Sequence, residues 1–165
     1  MTQELGTFRA DGSGAALRFE RTYDATPQEV WAAVTEPDSI RRWLFADAVL
    51  EPRVGGAFRL VWSENGRTGG SVLVWEPPRM VEVEWSEGEM QSILRVELAA
   101  SHAGTRLVLD HRSLTPDVVV GIGAGWHAHL DALADSLGRR GDIVDRWRER
   151  HEALVPRYEA VVSAR

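Results

Sequence analysis

Apolar and polar residues alternate near the start of the chain, from Leu17 to Tyr23. The odd-numbered positions, Arg21 among them, fall on one face, because successive side chains of a strand point to opposite sides of a sheet. Residues 5–9 can pair with this strand across a turn at residues 11–14. The pattern therefore predicts an N-terminal hairpin.

Two short helices are indicated next. Thr26 is a helix-capping residue, Pro27 suits the first helical position, and Glu29 completes a capping box. Pro37 restarts the chain into a second helix, whose apolar stripe ends at residues 43–44. We expect the two helices to form a bent pair.

Short apolar runs alternate with turn sequences between residues 46 and 112. Asn65-Gly66 is a strong hairpin signal. No connection in this segment is long enough for the crossover that parallel strands need, so we expect an antiparallel meander. Its strands are predicted at residues 48–51, 58–62, 71–76, 80–85, 93–99 and 105–112.

The apolar period changes to that of a helix in the last third of the chain. Apolar residues recur every three or four positions from Ile122 to Leu137, and Gly138 or Gly141 ends the run. This is the longest helix that the sequence predicts. A further helix begins after Asp142. Its apolar face comprises Ile143, Trp147, His151, Leu154 and Tyr158, and Pro156 bends or restarts it.

The glycines at residues 121–125 resemble a nucleotide-binding loop at first sight. The third glycine of that fingerprint would fall at Trp126, and no strand follows to complete the crossover unit. We therefore interpret the glycine run as a flexible entry to the long helix, and as a candidate gate.

Six short motifs between residues 15 and 138 are similar to landmarks of one known superfamily. They are Phe19-Glu20-Arg21, Arg42-Trp43 and residues 27–37, 54–58, 104–107 and 125–130. They resemble the SRPBCC (START-like) superfamily, in the branch named after the activator of the heat-shock-protein-90 ATPase. The resemblance implies an α+β helix-grip fold, in which a curved antiparallel sheet wraps around a long C-terminal helix and leaves a cavity between them.

The domain organisation follows from that element order. The helix-grip domain is expected to span residues 1–141, with the N-terminal hairpin strand and turn at residues 1–15. Residues 142–165 are expected to form a C-terminal helical extension, because the helix-grip order is already complete at Leu137.

Charge and composition restrict the partners and the chemistry. The net charge of −6 argues against a nucleic-acid partner, which needs clustered cations. No stretch of about twenty apolar residues indicates a membrane span, and the N-terminal sequence lacks the features of a signal peptide, so a cytoplasmic location is expected. The absence of cysteine excludes thiolate sites, and we expect no metal and no cofactor.

Three histidines are candidates for chemistry. His127 and His129 are two positions apart on the predicted helix and point in different directions, so they cannot share one metal ion. His127 is expected to pair with Asp131 at the surface. His129 lies on the apolar stripe, and is either a core histidine bonded to backbone or a ligand contact. His111 alternates with inward-facing leucines and is also expected to face inward.

The leading hypothesis is the binding or transport of a small hydrophobic or aromatic ligand in the implied cavity. One alternative is a polyketide cyclase/dehydratase-like enzyme that uses cavity histidines, although we favour binding over catalysis. A second alternative is a protein-interaction or chaperone-regulator module, with Trp147, Leu154 and Tyr158 docking on a partner or in a homodimer. The candidate cavity-lining residues are Phe58, Leu60, Trp62, Val83, Trp85, Leu109, His111, Trp126, His129 and Leu133.

Overall fold

The computed structural model describes residues 4–12 and 14–164, and in them eight strands form one antiparallel sheet. The strands are β1 (Thr7–Asp11), β2 (Gly14–Tyr23), β3 (Asp47–Leu50), β4 (Ala57–Val61), β5 (Arg67–Glu76), β6 (Met80–Glu87), β7 (Met90–Ser101) and β8 (Gly104–Leu114). The α-helices are α1 (Pro27–Thr35), α2 (Pro37–Leu44), α3 (Val119–Leu137) and α4 (Ile143–Ser163). The predicted helix-grip fold is confirmed.

The order of strands in the sheet is β1-β2-β8-β7-β6-β5-β4-β3. Strands β3 to β8 are therefore the expected meander, and β2 closes on β8 with Phe19 opposite Leu109. The N-terminal hairpin is also present, with Phe8 opposite Leu17. Ser13, in the predicted turn, lies outside the described residues.

The bent pair of helices forms for the reasons visible in the sequence. The Thr26 hydroxyl accepts a hydrogen bond from the backbone N–H of Glu29, and the Glu29 carboxylate accepts one from the backbone N–H of Thr26. This capping box satisfies donors that a helix start leaves unpaired. The indole N–H of Trp43 in α2 donates to the Ala33 carbonyl of α1 over 2.9 Å, which ties the two helices together.

The glycine run belongs to the long helix. A short 3₁₀ turn (Pro116–Val118) leads directly into α3 at Val119, so the expectation of a flexible entry before the helix is wrong. Gly123 has a packing role: a Cβ added there would lie 2.8 Å from Cδ1 of Tyr158 in α4. The lack of a side chain thus allows α4 to approach α3 closely.

Helix α4 packs against α3 and supplies buried side chains to the core. Leu154 is buried, and Tyr158 is only 1% exposed. The Tyr158 hydroxyl accepts a hydrogen bond from the backbone N–H of Gly6 over 2.9 Å, which links both ends of the described chain. The proposed domain boundary at residue 141 stays a prediction, but α4 shares one hydrophobic core with the rest of the molecule.

Candidate functional site

Two adjoining cavities lie between the sheet, α2 and α3. The inner one has a volume of about 50 Å³ and the outer one about 190 Å³. Leu44, Trp85 and Trp126 line both, so the two cavities share one wall. We call them together the tryptophan cavity.

The inner cavity is lined by apolar side chains from the concave face of the sheet. Phe58 and Leu60 come from β4, Val83 from β6 and Leu109 from β8. In β4 the inward position follows from alternation, because every second residue is buried, whereas Val83 and Leu109 each lie in a run of three consecutive buried residues. This lining is apolar and offers no charged group.

The outer cavity is more polar and lies toward the start of α3. Trp62 and Glu87 form part of its wall on the sheet side, and Ile122, Gly125 and His129 form the helix side. The indole N–H of Trp62 donates to the Leu44 carbonyl over 3.0 Å, which fixes the ring.

Aromatic rings surround Trp85 at the centre of this site. Its ring centroid is 5.5 Å from that of Trp126, 5.4 Å from that of His111, 5.8 Å from that of Phe58 and 5.9 Å from that of Trp62. Tilted and edge-on pairs at these separations are favourable. The rings therefore form a rigid aromatic wall against which a flat ligand can pack.

A chain of hydrogen bonds fixes His111 in this wall. The indole N–H of Trp126 can only donate, so Nδ1 of His111, at 2.9 Å, accepts. The remaining proton of the neutral ring lies on Nε2, which donates to Ser92 Oγ over 2.8 Å. The Ser92 hydroxyl donates in turn to the Trp85 carbonyl over 2.9 Å. Burial lowers the pKa of His111 to about 3, so the ring is neutral at physiological pH.

His129 keeps one nitrogen free at the edge of the outer cavity. Its Nδ1 donates to the Trp43 carbonyl over 2.8 Å, as in the core-histidine interpretation. Burial lowers its pKa to about 4, so the ring is neutral and Nε2 is an acceptor. No group among the described residues donates to Nε2, and His129 lines the outer cavity. Trp147 of α4 supports the ring from another side, at 5.0 Å between centroids.

Trp85 has the one unpaired indole N–H among the described tryptophans that line the cavity. Its side chain is 6% exposed, and Nε1 is buried with no hydrogen-bond partner in the described part of the chain. Buried polar groups are nearly always paired, so an orphan of this kind needs an explanation.

A separate polar cleft of about 650 Å³ lies between the end of β2, α3 and α4. It is larger than the tryptophan cavity, but charged side chains such as Asp131, Asp135, Arg150 and Arg157 line it. Because Asp135 is already held by Arg146 and Arg150, much of this charge stabilises the contact of α4 with α3. The cleft is unsuited to an apolar ligand.

His127 lies at this cleft rather than at the surface. It is 3% exposed, its Nδ1 is hydrogen-bonded to the Tyr158 hydroxyl at 3.0 Å, and its Nε2 is 3.9 Å from the nearer oxygen of Asp131. The expected pairing of His127 with Asp131 is therefore present, but its expected position at the surface is wrong, because α4 covers this face of α3. Burial, reinforced by nearby arginines including Arg21, lowers the pKa of His127 to about 4.

Nine of the ten candidate residues from the sequence line the tryptophan cavity. Phe58, Leu60, Val83 and Leu109 line the inner part, Trp62, His111 and His129 the outer part, and Trp85 and Trp126 both. Leu133 is fully buried but lines neither part. Leu44 was missed as a shared wall residue, although its place on the α2 stripe was a usable signal. Ser92 was missed, since nothing local links it to His111.

Two features are absent from the described residues. No group of three or more histidine, aspartate or glutamate side chains in residues 4–12 and 14–164 could hold a metal ion. Within the same residues, no helix has the length and apolar character needed to cross a membrane.

Comparison with known proteins identifies relatives of this fold. A family model described as activator of Hsp90 ATPase homolog 1-like protein matches residues 24–138. The structure of CalU16 from Micromonospora echinospora is 30% identical, with a TM-score of 0.72 over 98% of each chain. That coverage includes nearly all of α4. No protein of curated function is detectably similar to the chain.

Two further structures are similar over the core. Protein MLL2253 from Mesorhizobium loti is 25% identical, with a TM-score of 0.71 over 75% of this chain and 97% of that chain. DynU16, a protein of the dynemicin biosynthetic locus, is 23% identical, with a TM-score of 0.67 over 74% of this chain and 47% of that chain. The likeness to DynU16 is one of fold alone.

Proposed function

This chain belongs to the family of activator of Hsp90 ATPase homolog 1-like proteins, and we propose that it binds a small, largely apolar aromatic molecule in the tryptophan cavity. The observation that carries the proposal is the wall shared by Trp85 and Trp126, which joins a small apolar cavity to a wider one with polar groups. An apolar lining with a few polar groups is the usual character of a small-molecule site.

The size of the cavity restricts the ligand. Drug-sized molecules occupy cavities of roughly 300–1,000 Å³. With about 190 Å³ in the outer part and about 50 Å³ in the inner part, the tryptophan cavity suits a molecule of one or two rings. Burial of apolar surface, at about 25 cal/mol per Å², supplies most of the affinity.

Binding is favoured over acid–base catalysis by the state of the two cavity histidines. A cyclase or dehydratase mechanism needs groups that are free to exchange protons with the substrate. Both nitrogens of His111 are hydrogen-bonded to Trp126 and Ser92, so only Nε2 of His129 is free. One neutral imidazole, with a pKa lowered to about 4, is a weak base and a poor acid at neutral pH.

The side chains that the interaction-module alternative would use for docking are not accessible in the structure. Leu154 and Tyr158 are buried in the protein's own core, and Trp147 packs against Phe45 and His129. A partner or a second copy would have to displace α4 to reach these side chains.

Two glycines of α3 provide a matched test. A Cβ added at Gly125 or at Gly121 meets no atom of the described residues within 4 Å beyond its own stretch of helix. Gly125 lines the outer cavity, whereas Gly121 is exposed and lines neither part. Replacing glycine by leucine inside a helix also favours the helix by roughly 1 kcal/mol. Both variants should therefore fold at least as well as the wild type.

Naphthalene, a neutral two-ring probe, should bind the wild type saturably in ligand-observed NMR and calorimetry. We expect Gly125→Leu to reduce its affinity by about tenfold or more, because the new side chain occupies the cavity, and Gly121→Leu to leave it unchanged. If the wild type does not bind naphthalene saturably, or if the two variants behave alike, the proposed function is wrong.

A further inference from the structure

We propose that the bound molecule presents a hydrogen-bond acceptor to the indole N–H of Trp85, so that the ligand class is an aromatic heterocycle, aryl ketone or aryl ether rather than a plain hydrocarbon. The inference rests on the proposed function, because it assigns the polar contact made within the same cavity. It also assigns to Trp85 a role in specificity that packing alone does not require.

The contrast between Trp85 and the other cavity tryptophans supports this assignment. The indole N–H of Trp43 donates to Ala33, that of Trp62 to Leu44 and that of Trp126 to His111, at 2.9 Å, 3.0 Å and 2.9 Å. Trp85 is the exception among these four in the described chain, and it lines both parts of the cavity. Nε1 itself is covered by surrounding atoms in the ligand-free structure, so a ligand acceptor has to reach it from the adjoining cavity. Pairing an unsatisfied buried donor in this way adds a bond at no loss to the protein.

The polar groups packed around Trp85 are already engaged. His111 uses Nδ1 for Trp126 and Nε2 for Ser92, and the Ser92 hydroxyl donates to the backbone carbonyl of Trp85 itself. The rings of Phe58, Trp62 and Trp126 offer no strong acceptor. None of these groups is left to accept from the Trp85 N–H, and the two other acceptors on the outer wall, Glu87 and Nε2 of His129, are not bonded to it.

A water molecule is a poor substitute for that partner in the inner cavity. A stable buried water needs two to four polar partners. The inner cavity is lined by apolar side chains such as Leu60, Val83 and Leu109, so a water there would find too few polar partners. An aromatic ligand with one acceptor atom satisfies the donor and also buries its own apolar surface.

The surroundings also limit the ligand's charge. No charged side chain lines the inner cavity, and Glu87 lies on the wall of the outer cavity. A carboxylate ligand would be desolvated without a cation to pair with, and would face a like charge at Glu87. The acceptor is thus a neutral oxygen or ring nitrogen.

Quinoline and naphthalene test the inference as an isosteric pair, because they differ by one ring nitrogen in place of one C–H group. Their dissociation constants should be measured by calorimetry at pH 7.5, where quinoline is neutral, for the wild type and for Trp85→Phe. The phenylalanine keeps an aromatic ring and removes the N–H. We expect the preference for quinoline over naphthalene to fall by about tenfold in Trp85→Phe, the value of one hydrogen bond to a buried donor.

Trp62→Phe is the control, since it removes an indole N–H that is already bonded to Leu44. It should shift the affinities for both probes together and leave their ratio as in the wild type. In NMR spectra of the unaltered protein, the Trp85 indole proton should move downfield with quinoline and not with naphthalene.

The outcomes separate the two proposals. Failure of naphthalene to bind the wild type contradicts the proposed function. Binding of naphthalene with a quinoline preference that is the same in the wild type and Trp85→Phe, and no selective shift of the Trp85 indole proton, leaves the function intact and overturns the acceptor assignment. A resonance shift with quinoline in the wild type supports the assignment even if Trp85→Phe folds poorly.

Discussion

The indole N–H of Trp126 donates to Nδ1 of His111 over 2.9 Å, joining α3 to β8 inside the core. Because indole is a donor only, this bond determines which nitrogen of His111 carries the proton. Nε2 then donates to Ser92 on β7. One histidine thus orients a cavity tryptophan and connects it to two neighbouring strands.

We expect His111→Leu to destabilise the protein by about 1–3 kcal/mol, because it leaves the Trp126 N–H buried without a partner. Trp126→Phe in the same background should cost less than it does alone, since the orphaned donor is then removed. Urea denaturation of both single variants and the double variant measures this coupling. Strictly additive costs would show that the hydrogen bond does not contribute to stability.

Acid should destabilise the fold before its carboxylates are titrated. Burial lowers the pKa of His111 to about 3, and those of His127 and His129 to about 4, while the unfolded chain titrates near the ordinary histidine value of about 6.5. Between those limits the unfolded state binds more protons, so the free energy of unfolding decreases as the pH falls. Each histidine contributes up to about 1.4 kcal/mol per pH unit within that window.

One buried carboxyl opposes this trend. Burial raises the pKa of Asp131, so the folded state takes up that proton earlier than the unfolded state as the pH falls, which offsets part of the loss. Urea midpoints measured at several pH values between 7 and 4.5 should still decline as the pH falls. His111→Gln should reduce the slope of this decline against pH by roughly one third. A flat profile in this window would contradict the burial of the three histidines.

Much of the cavity could be predicted from the sequence, because strands are periodic and their concave faces converge. Phe58, Leu60 and Trp62 alternate along one predicted strand, and Val83 and Trp85 along another, and each of them lines the cavity. The pattern predicts which face is buried. It does not reveal hydrogen bonds between strands, which is why the link from Ser92 to His111 was not foreseen.

The helices were harder to interpret, for a physical reason. Helix α3 is covered by the sheet on one side and by α4 on another, so its buried surface is wider than the stripe that a single apolar period predicts. His127 is buried for that reason. Leu133 lies on the predicted stripe but lines neither part of the cavity, because periodicity cannot tell where along a helix the cavity ends.

Asp135 should prove important for attaching α4. Its carboxylate is almost fully buried and accepts hydrogen bonds from Arg150 at 2.9 Å and Arg146 at 3.4 Å. We expect Asp135→Asn to lower the free energy of unfolding by about 1–3 kcal/mol, the usual range for hydrogen bonds to a charged group. The control is Asp145→Asn, because Asp145 and Arg148 form a pair of highly exposed side chains.

Such exposed pairs contribute little to stability, so Asp145→Asn should unfold at the same temperature and urea concentration as the wild type. Thermal and urea unfolding of both variants gives the comparison. Equal effects at the two positions would mean that burial of Asp135 does not strengthen its contacts with the arginines.

The last prediction concerns His129 as a second polar contact for the ligand. Its Nδ1–H is held by the Trp43 carbonyl, which leaves Nε2 as an acceptor at the outer cavity. A probe hydroxyl can donate to it, so 1-naphthol should bind the wild type more tightly than naphthalene. In His129→Asn, the amide nitrogen can replace Nδ1 as donor to Trp43, but the shorter side chain places no acceptor at the position of Nε2.

We expect that variant to lose about 0.5–1.5 kcal/mol of the preference for 1-naphthol, the contribution of one hydrogen bond, as measured by calorimetry with both probes. Comparing the probes within one variant removes any general effect of the lost ring on packing against Trp147. An acid–base catalyst would behave differently, because its turnover would fall by about a hundredfold or more while affinity is nearly retained. An unchanged preference for 1-naphthol in His129→Asn would show that Nε2 does not contact the bound molecule. His129 would then have only a structural role, through its hydrogen bond to the Trp43 carbonyl.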